Sequence, residues 1–95
     1  MFTNKAPDGT NNLCGKKIAL ARINMKMSQR ALAEALQSLG LDVDKNTVQR
    51  IEAGKGFVTD IELAAFSQVL DIEIPELLKD HIAYLKGLTK EAGWE

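Results

Sequence analysis

An all-α fold of five helices is the architecture that this 95-residue sequence predicts, and three observations carry it. Apolar residues recur at steps of three and four along most of the chain, capping residues open the periodic segments, and glycines close several of them. No alternation of apolar and polar residues, internal repeat or low-complexity tract competes with that pattern.

Taken in order, residues 1–11 are polar, hold Pro7 and the turn-like Asp8-Gly9, and are expected to form a flexible arm. Cys14, Ile18, Ala21 and Met25 then fall on one face of a first helix spanning about 13–26. Ser28 is suited to cap a second helix, with Leu32, Ala33, Leu36 and Leu39 on its inner face and Gly40 as its left-handed stop. Asp44 can cap a short third helix, about 44–53, which turns Val48 and Ile51 inward and ends at Gly54. Leu41 and Val43, in the connection before it, are expected to tuck into the core. Thr59 with Glu62 forms a capping box ahead of Leu63, Phe66, Ser67 and Leu70. Pro75 fits the first turn of a fifth helix, where a missing amide proton costs little, and Leu77, Leu78, Ile82 and Leu85 supply its apolar face.

Composition narrows the functional classes. The chain is 45% hydrophobic and 26% charged, a balance that supports one small core rather than disorder. Its single cysteine, Cys14, reads as a small core residue more readily than as a redox sensor, and with one histidine, His81, it leaves no zinc spacing. No cofactor is implied. Nothing resembles a transmembrane run or a hydrophobic signal peptide, so the cytoplasm is the expected compartment, with no membrane partner. An enzyme is not expected, because no nucleophile stands with a suitable base and no glycine-rich phosphate loop occurs.

The net charge of −1 hides an asymmetry. Residues 1–58 carry nine Lys or Arg against five acids, a net of +4, whereas residues 59–95 carry three Lys against eight acids, a net of −5. Any polyanion would bind the first half.

The succession MSQRALAEAL, NTVQRIEAGKG, LAAFSQVLDI and PELL resembles the Cro and lambda-repressor-like helix-turn-helix family, over about residues 13–78. Ser28-Gln29, Leu32-Ala33, Ile51-Glu52-x-Gly54 and Leu70-x-Ile72 followed by Leu77-Leu78 are the most specific pieces, and their order carries the resemblance. It implies a compact lambda-repressor-like domain over 12–79, with 80–95 as a helical tail, and the activity of a sequence-specific, double-stranded DNA-binding transcriptional regulator. It also implies an architectural pair, Arg22 of the first helix with Glu52 at the end of the third.

In such a motif the second of the paired helices lies in the major groove. Lys45, Asn46, Thr47, Gln49 and Arg50 are the outward residues of the third helix and the candidates for base edges: Asn and Gln suit adenine, Arg and Lys suit guanine, and Thr suits a thymine methyl. Ser28, Gln29, Arg30, Lys17, Lys26 and Lys55 are the candidates for the DNA backbone, which they would grip without reading sequence. The connection QSLGLDVDK is longer than the common family pattern and brings Asp42 and Asp44 near the reading helix.

A single motif binds DNA weakly, so a homodimer on a pseudo-palindromic operator is expected. The apolar residues Ile82, Tyr84, Leu85, Leu88 and Trp94 make the tail its candidate interface, or else a cap on the core. Repression by occlusion is the simplest regulatory mechanism. The rival function is a protein-interaction module, such as an antitoxin or anti-regulator, whose acidic second half masks a basic partner.

Overall fold

The computed structural model describes residues 4–93. Five helices follow in the order α1 (Gly15–Asn24), α2 (Gln29–Ser38), α3 (Lys45–Glu52), α4 (Asp60–Leu70) and α5 (Ile74–Glu91), and no strand occurs among the described residues. The core gathers Cys14 and Ile18 of the α1 end, Leu32, Ala33 and Leu36 of α2, Val43, Val48 and Ile51, Ala65, Phe66 and Leu70 of α4, and Leu77 of α5. Removing these side chains from water is the main driving force for closing the four helices α1–α4 around one centre, with α5 joining through its first turns.

Local chemistry sets the boundaries. Ser28 Oγ accepts from the Ala31 amide, Asp44 Oδ1 from the Thr47 amide, and Thr59 with Glu62 closes a full capping box. At the other end of α2, Gly40 takes φ +89°, its amide bonds the Gln37 carbonyl, and Leu41 reaches back to the Leu36 carbonyl. That pattern is a Schellman stop, and the residue in its left-handed position carries no Cβ to clash.

The first helix is shorter than the 13–26 expected. It ends at Asn24, and Lys26 adopts the left-handed conformation, φ 58°, with its amide on the Ile23 carbonyl and the Met27 amide on the Arg22 carbonyl. The same stop therefore forms on a lysine. Met25 consequently lies on the surface, 47% exposed, and Met27 takes its place against the core. Leu39 is also displaced from the expected inner face, because it caps α2 where the chain turns away, and it is half-exposed.

Residues 6–12, most of which lie in the segment expected to be a flexible arm, are held by hydrogen bonds. Ala6 and Thr10 close a turn, and the Asn11 amide donates to the Gly54 carbonyl at 2.7 Å. Helix α5 behaves differently along its length. Leu77 is buried and Leu78 packs on the core, but Ile82, Tyr84, Leu85 and Leu88 extend the same apolar face past it, exposed. Trp94 lies outside the described residues.

Candidate nucleic-acid interface

Eight residues make α3, and their helical spacing of about 100° per residue divides it into two surfaces. Val48 and Ile51 are buried at 0% and 1% exposure. Lys45 with Gln49, and Asn46 with Arg50, form two adjacent rows one turn apart on the opposite arc. All four are exposed, and among the described residues none of their side chains enters a hydrogen bond or an ion pair. Two amides, an ammonium and a guanidinium are thus displayed together on a helix whose back is fixed in the core.

Thr47 stands apart from this group. It is half-buried, and its hydroxyl donates to Asp44 Oδ1 at 2.8 Å, beside the Thr47 amide that bonds the same oxygen. Those two bonds hold the Asp44 carboxyl below the usual carboxylate range. Asp44 therefore keeps its charge at the start of the helix, and Thr47 spends its hydroxyl on the cap.

Behind α3 lies a polar knot. Arg22 Nε donates to Glu52 Oε2 at 2.7 Å, Arg22 Nη2 to Glu52 Oε1 at 3.0 Å, and Arg22 Nη1 to the Met27 carbonyl at 2.8 Å. Gln29 Nε2 adds a further bond to Glu52 Oε1 at 3.0 Å. The carboxylate beside it raises the Arg22 pKa through its hydrogen bonds. In this arrangement the start of α2, the end of α1 and the end of α3 share one set of charge-assisted bonds, which are stronger and more directional than neutral ones.

The residues considered for the DNA backbone separate into different groups. Arg30, Lys26 and Lys55 are exposed, and Ser28 is exposed with its hydroxyl committed to the α2 cap. Gln29 is engaged by Glu52, as above. Lys17 is turned toward α5: its ammonium donates to the Glu76 carbonyl at 3.0 Å and pairs with Asp80 at 3.3 Å. The pairing charge lies on the acidic second half of the chain, which explains why a lysine of the basic half is spent on holding helices together.

Three residues that position α3 had not been singled out in the sequence. Asn12 Oδ1 accepts from the Gly15 amide at 2.7 Å, while its Nδ2 donates to the Ile51 and Gly56 carbonyls at 3.0 and 2.8 Å. One amide side chain therefore caps α1 and ties it to the end of α3. Gly15 lets the two helices meet, because a Cβ there would overlap the Ile51 carbonyl oxygen. Gln37, in the last turn of α2, donates to the Val43 carbonyl at 2.9 Å. An Asn three residues before a helix start is a visible capping signal, whereas its partners 39 and 44 residues away are not.

Among the described residues, no group of three or more His, Cys, Asp or Glu could hold a metal ion, and no helix is long and apolar enough to cross a membrane. Residues 18–77, more than half of the chain, match the family model described as helix-turn-helix. No curated protein and no solved structure gives a match.

Proposed function

Since the chain belongs to the helix-turn-helix family of Cro and lambda-repressor-like DNA-binding regulators, we propose that it reads double-stranded DNA by sequence, with α3 in the major groove. The observation that carries this reading is the uncommitted set of Lys45, Asn46, Gln49 and Arg50 on a helix anchored by Val48 and Ile51. Amide side chains can bond adenine in two places and Arg or Lys can do so with guanine, so these four side chains suffice to discriminate bases. Arg30, Lys26 and Lys55 would hold phosphates, and the backbone amides at the start of α2, next to Gln29, suit another. Thr47 and Lys17 take a smaller part, their polar groups being already bonded within the protein.

The protein acts as a homodimer on a pseudo-palindromic operator in the cytoplasm, repressing by occlusion. Support for the dimer comes from α5, where Ile82, Tyr84, Leu85 and Leu88 continue the face that Leu77 buries and are 39–49% exposed. An apolar stripe of that kind suits a second copy of itself. Two subunits would then present their α3 helices to half-sites about 10 bp apart.

Selection from random duplexes with the purified full chain tests the proposal. Recovery of a consensus with two related half-sites is the expected result. Recovery of no consensus, together with retention of a basic protein partner, would replace it with an interaction module that uses the acidic second half.

A further inference from the structure

Six residues, 39–44, separate α2 from α3, more than the three or four usual in a helix-turn-helix. Each added residue brings two more soft torsions, so a longer connection leaves the direction of the following helix less determined unless something holds it. Two apolar anchors are present: Val43 is 2% exposed and Leu41 is half-buried against the core. Burying the Val43 side chain fixes where that residue sits. It does not fix the orientation of the peptide plane that follows.

Gln37 supplies that second constraint. Its Nε2 donates to the Val43 carbonyl at 2.9 Å, and this carbonyl lies in the same planar unit as the amide of Asp44, the N-cap of α3. The bond therefore runs from the rigid last turn of α2 to the peptide that launches the reading helix. Gln37 is itself exposed, so its side chain adds little to the core.

We infer that Gln37 is a positioning residue for DNA recognition: its bond to the Val43 carbonyl sets the angle at which α3 enters the major groove, and thereby sequence discrimination. The inference rests on α3 being the reading helix. Phosphate contacts tolerate a small tilt because they are electrostatic, whereas two-point bonds to base edges do not.

The test uses the full-length protein with Gln37→Met, which keeps the shape and removes the donor, and Gln37→Glu, which leaves only acceptors. Dissociation constants are measured on the selected operator and on an unrelated duplex of equal length, with thermal melting to establish folding. Using the ratio of the two constants cancels the added charge of the glutamate. In both variants the ratio should fall by about fivefold or more, the worth of one hydrogen bond, with the unrelated duplex bound by Gln37→Met within about twofold of the parent. An unchanged ratio in Gln37→Met overturns the inference, whatever happens to the melting temperature. A parent protein that prefers no sequence would instead remove the underlying reading of α3.

Discussion

Arg22 and Glu52, thirty residues apart, meet in a two-pronged ion pair with distances of 2.7 and 3.0 Å, and their side chains are only 13% and 7% exposed. Gln29 and the Met27 carbonyl complete the set. Removing one partner strands the other charge away from water. Glu52→Ala should therefore destabilise the protein by about 3 kcal/mol, read as a clear drop in melting temperature, and an unchanged value would show that water compensates the stranded guanidinium.

Asn12 ties the start of α1 to the end of α3 through three hydrogen bonds. Asn12→Ala should cost about 2 kcal/mol in denaturant unfolding, since the Gly15 amide and two carbonyls lose a partner. Asn12→Asp should be at least as harmful. It retains the acceptor for Gly15 but sets an anionic oxygen against the Ile51 and Gly56 carbonyls. Equal stability of all three proteins would rule out the tie.

Lys26 holds a left-handed conformation that a residue with a Cβ adopts at a cost. Lys26→Gly relieves that strain while loosening the unfolded chain, for a net gain of about 0.5 kcal/mol. The same change removes a proposed phosphate contact. Melting temperature should rise slightly while affinity for all duplexes falls, and the slope of log affinity against log salt should shallow by about one unit. A lower melting temperature would count against the strain.

Asp44 has its pKa lowered by the Thr47 amide and hydroxyl. The sign follows from linkage: the unfolded chain binds the proton more readily, so the stabilisation is complete above the ordinary carboxylate value of 3.8 and is lost as pH falls through the lower folded value. Asp44→Ser keeps a helix cap without a titrating group. Its stability should fall less steeply with acid than that of the parent, as measured by melting between neutral pH and the acid limb. Identical acid dependence would show that Asp44 makes no contribution there.

Arg50→Ala and Lys55→Ala separate base reading from backbone binding. Loss of the Arg50 guanidinium should relax discrimination at one operator position by about 1–3 kcal/mol. Loss of Lys55 should weaken every sequence alike. Binding measurements on single-base operator variants distinguish the two, and a uniform loss with Arg50→Ala would exclude it from base contact.

Much of the fold was legible because its signals are local. Ser28, Asp44 and Thr59 open their helices by bonding amides three residues away, and Val48 and Ile51 mark the inner side of α3 by spacing alone. Periodicity also exposed Lys45, Asn46, Gln49 and Arg50, since the outward face of a helix follows once its inward face is known. It failed where a boundary shifted, at Met25 and Leu39, because an apolar residue at a helix end can leave the axis and face water.

By itself the sequence determined five helices, the caps of α2, α3 and α4 and the face that α3 turns outward, because these depend on bonds and spacings within one or two turns. Tertiary structure decided which polar groups outside α3 are spent within the protein. It committed Lys17 to Asp80, tied Asn12 to Ile51 and Gly56, and set Gln37 against the Val43 carbonyl. For Lys17 and Asn12 the partner comes from a distant segment, and for Gln37 from an irregular connection. In each case the long-range packing of the core fixed which hydrogen-bonding groups would meet.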